Sequence, residues 1–442
     1  MRIIGNRGNT ARKVQAVASG ALASGDTVIV NADGTVSVVA GSDDSVVGNT
    51  TFVSGNIKTP ASTFDSNSNR VVIFYNDPSD SFKGKAVVGT VTGSGLSLGT
   101  PVVFEAANQE NADYMSAAFD SNSNKVVIAY SKLSSGTYYL SVKVGTVDSS
   151  DNSISFGSEV NLSLGTLATY PTYISLTFDT NANKMLLLST RQVSSTVNGI
   201  AAVGTVSGTG ISFGSVATFN SAVTYYTVSC FDSNANKVIL AFGDGTNSNY
   251  HTSLVATISG TSVSFGSKVV YDSTGIQAQQ GIAYDTTQNK VVINYLNGAS
   301  PYGGAAIIGT VSGTGISFGT EVAFSTTIPN FMTAQYDPSS AKVVFVYQDS
   351  TNGNDTGYVR TGTISGTTIS FDPIIQYQTS GTSLLINTTF DSTSNKTIIS
   401  YLSIIIGTRT GKYATFAAAS TNLTSENYIG IASNGYATGQ AA

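Results

Sequence analysis

The sequence predicts an all-β protein, a seven-bladed β-propeller with four strands per blade. Three observations lead there. The stretch FDSNSNRVVIFY from Phe64 returns six times, starting at Phe119, Phe178, Phe231, Tyr284, Tyr336 and Phe390. A second motif follows each copy but the last, as VGTVSGTGISFG does from Val203. The period of about 53 residues has the size of a four-stranded propeller blade, and such rings commonly hold four to eight.

Each half of the repeat reads as a hairpin. Asp and Asn bond their own backbone two residues on and tolerate left-handed conformations, so D-x-N-x-N is a turn. The apolar β-branched run after it, Val-Val-Ile in several copies, is a strand buried on both faces. Strand, Gly-containing turn, strand gives the second hairpin. Each repeat is therefore four strands, a to d.

In chain order, residues 1–57 form a basic leader (Arg2, Arg7, Arg12, Lys13) and a hairpin, Thr27 to Val39, turning at Asp33-Gly34. Residues 40–57 are expected to join it to the first blade. The blades occupy 58–418. The seventh copy lacks the I-S-F-G strand, and residues 419–442 hold one short apolar piece, Tyr428 to Ile431. The unmatched hairpin at one end and the unmatched strand at the other are expected to meet. They would either supply the seventh blade's outer strand or build a small β-module beside it.

The net charge is −5 and there is one cysteine, so neither a basic nucleic-acid footprint nor a disulfide framework is expected. No apolar run is long enough to span a bilayer, and Val14 to Gly20 makes a poor signal-peptide core. Cys230 reads as a filler of a small-residue position.

Tandem FDSNSNKVVIAY and VGTVSGTGISFG units resemble repeats in tail-fibre-like and other virion proteins of marine tailed phages, over residues 58 to 416. The pieces Ser24 to Thr35 and Ser425 to Ser433 resemble parts of a small β-module in phage fibres. The resemblance implies a virion-surface protein, homo-oligomeric in the particle and held to other virion proteins by its terminal segments. It implies no enzymatic activity. The alternatives are a capsid decoration, head-fibre or tail component with no ligand of its own, and a polysaccharide-degrading enzyme.

No cofactor or metal is expected. The D-x-N-x-N turn offers calcium one carboxylate, where a tight site needs several, and one histidine with one cysteine cannot hold zinc. A glycosidase needs two carboxylates; Glu105, Asp113, Asp349 and Asp355 are available, but nothing singles out a pair. A sialidase-type S-x-D-x-G-x-T-W box is excluded by the absence of tryptophan. The basic residue after each turn (Arg70, Lys125, Lys184, Lys237, Lys290, Lys342, Lys396) reads as a solvated strand start that discourages edge pairing, the alternative being a basic ring on one face that takes an anion or acidic partner.

The a–b and c–d turns are nearly constant, whereas the b–c loops (Ser131 to Tyr139, Gly243 to His251, Gln348 to Gly357) and d–a loops (Glu105 to Tyr114, Asn161 to Tyr173, Asn220 to Tyr226) differ throughout. In an up-and-down blade these variable loops share one face. Loops on a rigid scaffold commonly carry binding, and tyrosine offers large contact area with a polar tip. The expected ligand-binding residues are Tyr114, Tyr138, Tyr139, Tyr170, Tyr173, Tyr225, Tyr226, Tyr250, His251, Tyr302 and Asp349. The expected ligand is a host-surface glycan or protein.

Overall fold

The computed structural model describes residues 16–24, 27–31, 33–38, 43–93, 95–106, 114–162, 164, 171–193, 196–275, 279–299, 303–351, 355–419 and 428–431. The chain divides into two units: Met1–Asp43 with Ala419–Ala442, and Asp44–Ala418.

The larger unit is a β-propeller built from antiparallel sheets. In the first repeat, a is Lys58–Asp65, b is Arg70–Asp77 and c is Lys83–Thr92, paired in that order. The fourth strand is broken. Gly95–Leu98 pairs with one half of c and Val102–Glu105 with the other. The a strands of later repeats are Met115–Asp120, Ser175–Asp179, the second half of Ala217–Asp232, Gly281–Asp285, Pro329–Asp337 and Thr382–Asp391. Each contacts the next, and the last returns to Lys58–Asp65, which closes a ring. The continuous apolar run of strand b is buried in every repeat. Successive clusters of these apolar side chains lie between neighbouring sheets.

The hairpin aspartates explain the constancy of the motif. Asp65, Asp120, Asp179, Asp232, Asp285, Asp337 and Asp391 are buried, and each Oδ1 accepts from the backbone N–H two and three residues on. Four residues after each Asp the backbone is left-handed, with φ of 52° to 54°. Asn occupies this place in six copies and Ala341 in the other.

The last glycine of the S-F-G motif is fixed by space. A Cβ on Gly157, Gly214 or Gly266 would lie within 2 Å of a carbonyl oxygen in the c–d turn of the following repeat. The sixth repeat has Asp372 here, and the repeat after it has no such turn. Asp372 instead pairs with Lys342 at 2.9 Å, which also faces Asp44 at 3.7 Å.

The segment expected to be a connection, 40–57, contains the strand that completes the last sheet. Ser45–Val53 pairs with Thr408–Ala417 as the outer strand of the seventh repeat. The Thr27 hairpin does not take that role. The seam is tied by polar contacts: Tyr401 Oη donates to Asn49 Oδ1 (2.8 Å), Ser62 N and Oγ donate to Asn387 Oδ1 (2.8 and 2.7 Å), and Tyr413 Oη accepts from Leu96 N (2.8 Å).

The smaller unit is a three-stranded antiparallel sheet in the order Val36–Val38, Thr27–Val30, Tyr428–Ile431. Thr27 faces Ile431 and Val28 faces Gly430, so the two terminal segments pair within one chain. Ala18, Leu22, Val28 and Val36 form its buried cluster.

Two further differences concern loops. Asn220 to Tyr226, expected as a d–a loop, lies within one continuous strand, Ala217–Asp232. The b–c hairpin of the second repeat stays paired to a two-residue turn at Ser135-Gly136, so Tyr138 and Tyr139 stand on a strand.

Candidate functional site

The position six residues before each hairpin aspartate begins the site. It is occupied by Thr59, Tyr114, Tyr173, Tyr226, Gln279, Phe331 and Leu385. Because the a strands ring the axis, these residues encircle its mouth, and all but Phe331 line an axial cavity of about 290 Å³. Phe331 lines a second, outer cavity of about 460 Å³, in which Tyr114 and Tyr226 also take part.

The backbone here is unusual. Thr59 (φ 41°), Tyr173 (51°), Tyr226 (48°), Phe331 (48°) and Leu385 (52°) are left-handed, in a region that bulky and β-branched side chains avoid. Strand pairing slips at the same places, between Lys58 and Ala61, Tyr225 and Val228, Asn330 and Thr333, and Leu384 and Asn387. Each such residue costs about 1–3 kcal/mol, and such strain gathers at binding and catalytic sites. The bulge turns the side chain before the strand settles into regular pairing.

The aromatic residues form one wall. Tyr173 packs against Tyr114 (centroids 5.2 Å apart), Tyr226 (4.9 Å) and Tyr225 (6.5 Å). Burial pushes the Tyr173 phenol up, and neighbouring Tyr114 and Tyr226 add to the effect, so it stays neutral. Below this wall the cavity is lined by Ser116, Ser175, Thr227, Ser229, Gln280, Thr333 and Asn387 among apolar side chains such as Ile174, Met332 and Ile386. Among the described residues, no Asp, Glu, Lys, Arg or His lines it. The outer cavity adds Lys58 and Arg409.

Gln280 ties the wall to the repeat behind it. Its Nε2 donates to the Tyr226 carbonyl (2.9 Å), while its Oε1 accepts from Tyr271 Oη (2.5 Å) and faces His251 Nδ1 (3.4 Å).

Of the expected binding residues, the structure brings Tyr114, Tyr173, Tyr225 and Tyr226 together. His251 is corrected: it is fully buried on strand Tyr250–Ser259, packed by Tyr271 and Tyr295. The turn before it ends at Asn249, so His251 is the second residue of the strand and points inward. Tyr250 begins that strand, half-buried. Tyr138 packs on the apolar cluster between the second and third repeats. Tyr139 lies against the ammonium of Lys132, 6.0 Å from its ring centre. The Asp349 carboxylate accepts from Thr351 N (2.9 Å) in a local turn. None of these five lines the axial cavity. Tyr170 and Tyr302 lie outside the described residues. Thr59, Gln279, Phe331 and Leu385 were not expected; the signal that would have found them is their fixed offset from the hairpin aspartate.

A second polar cluster lies away from the axis. Tyr130 Oη donates toward Glu159 (2.7 Å) and Glu105 (3.0 Å), and Lys132 Nζ sits 2.5 Å and 3.3 Å from the same two carboxylates. Burial raises the Glu159 carboxyl, but the hydrogen bonds it accepts from Lys132 and Tyr130 outweigh this and hold it below the usual carboxylate range. Tyr130 is fully buried, so this cluster ties neighbouring sheets together. Among the described residues, no three His, Cys, Asp or Glu side chains gather as metal ligands.

No family model matches the chain, and no curated protein does. Solved structures match in fold. A protein from Lactobacillus plantarum is 12% identical, with 80% of this chain and 95% of that one covered, at a TM-score of 0.50. The polysaccharide lyase Uly1 is 9% identical over 79% of this chain and 88% of that one (TM-score 0.49), and a Trypanosoma rangeli sialidase 8% identical over 92% and 60% (0.42). At such identities the likeness extends to the β-propeller fold alone.

Proposed function

We propose that this chain is a virion-surface adhesin that binds a host-surface glycan or protein at the mouth of its ring axis, without enzymatic turnover. The observation that carries the reading is the axial ring of bulky side chains held in left-handed backbone. Its cost recurs in five repeats, although Gly would relieve it at each and Asn would lessen it. A cavity that among the described residues has no carboxylate, imidazole or amine suits binding better than acid–base chemistry. The resemblance of the repeats to phage fibre proteins supports a place on the particle. The paired terminal segments would be held by other virion proteins, in a homo-oligomer.

Tyr173→Asn and Tyr226→Asn test this, because Asn tolerates left-handed backbone and leaves the fold intact. Binding of the labelled chain to host cells is expected to fall at least tenfold for either variant, with an unchanged melting temperature. Lys125→Ala and Lys237→Ala, on the opposite turns, are expected to leave it unaltered. Undiminished binding in both tyrosine variants overturns the axial reading. Absence of cell binding by the parent chain favours a structural component with no ligand.

A further inference from the structure

We propose that the inner axial cavity takes the terminal residue of a glycan end-on, and that this residue is an uncharged sugar. The inference rests on the adhesin reading and names its ligand. Three features carry it.

The first is size. About 290 Å³ lies at the small end of ligand pockets, enough for one small ring and not for a chain laid across the face. The second is the absence of charge. A uronate, sialyl or sulfated sugar would enter this cavity with no described cation to receive its anion, at the desolvation cost that unpaired buried charges carry. Lys58 and Arg409 belong to the outer cavity only.

The third is a pair of unused hydroxyls. Thr227, 3% exposed, and Thr59 both line the cavity; neither Oγ1 has a hydrogen-bond partner among the described residues, and each is closed off until its side chain turns about χ1 to meet a ligand. A hydroxyl both donates and accepts, and leaving one buried and unpaired is unfavourable. A sugar hydroxyl supplies either role. The tyrosine cluster at the mouth offers aromatic surface on which the C–H face of a pyranose can stack.

The test titrates the full chain calorimetrically with methyl hexosides (α-glucoside, α-mannoside, β-galactoside) and with glucuronic and N-acetylneuraminic acids, at 50 and 500 mM NaCl. One neutral glycoside is expected to bind in the millimolar range, with less than twofold change between the two salts. Thr227→Val, nearly isosteric, is expected to weaken it about tenfold without lowering the melting temperature. Tyr226→Asn is expected to weaken it at least as much. Preference for an acidic sugar, weakened by salt, overturns the neutral class and leaves adhesion standing. Neutral-sugar binding untouched by both variants overturns the location. Host-cell binding by a chain that takes none of these sugars overturns the inference alone; failure of both overturns the adhesin reading too.

Discussion

Substituting Gly214 by Ala asks whether the motif S-F-G is a contact between repeats. The added Cβ would stand 1.9 Å from the Thr261 carbonyl oxygen and 2.9 Å from its carbon. Both are backbone atoms of the next repeat, so no rotamer change relieves the clash and the turn itself must move. Overpacking of well-filled sites costs about 1–3 kcal/mol, and a backbone obstacle places this case near 3. The ring spans Asp44–Ala418, and unfolding it has an entropy of about 0.8 kcal/mol/K. The expected fall in melting temperature is therefore about 4 °C. Gly210, four residues earlier in the same motif, is the control. A Cβ there meets nothing nearer than the Ser207 carbonyl at 3.7 Å, and its φ is not positive. Gly210→Ala is expected within about 0.5 kcal/mol of the parent. Urea denaturation of the three proteins, compared by midpoint at constant slope, decides it. If Gly214→Ala is no less stable than Gly210→Ala, the space argument for the motif is wrong.

Two further outcomes concern stability. Ala341 holds φ 54° where six siblings use Asn, so Ala341→Asn is expected to stabilise the ring by about 0.5–1 kcal/mol, read as a raised urea midpoint. Burial holds the His251 imidazole below its ordinary range, against the opposing pull of Asp272. The unfolded chain then takes up this proton first, so stability is expected to fall as pH drops below about 6.5 and to continue falling until the folded-state pKa is reached. Urea midpoints at pH 8, 6 and 5 check it: the decline should be smaller in His251→Gln, and an equal decline in that variant assigns the effect to other groups.

The repeats, their strands and the turn chemistry were legible because each copy meets the same local demand. A buried Asp must close the turn, a left-handed residue must follow it, and strand b must be apolar on both faces. The axial ring was only half legible. Tyrosines stand out among the variable loops, while Thr59, Gln279 and Leu385 share the position without sharing any chemistry. What they have in common is distance from the hairpin aspartate, which composition does not display. The inward place of His251 is hidden for a related reason. Pairing of Asp244 with Tyr250 extends the hairpin into the expected loop, and alternation then turns the next side chain inward.

The closing strand shows how a seam can be hidden in one place and written in another. Ser45–Val53 carries no repeat motif, because it pairs with one neighbour only and forms no hairpin of its own. Yet its consequence is visible at Phe371-Asp372. Five repeats keep Gly at this position, after S-F in four and after S-L in the first, because the next repeat's c–d turn crowds that backbone. The turn is absent after the sixth repeat, the steric demand lapses, and a carboxylate appears. Asp372 accepts a hydrogen bond from Thr361 (2.6 Å) and pairs with Lys342, the basic residue of its own hairpin turn, while Asp44 approaches the same ammonium immediately before the closing strand begins. The replacement of a spatial constraint by an ion pair therefore marks where the ring closes, and ties the arriving strand to the sheet it must cover.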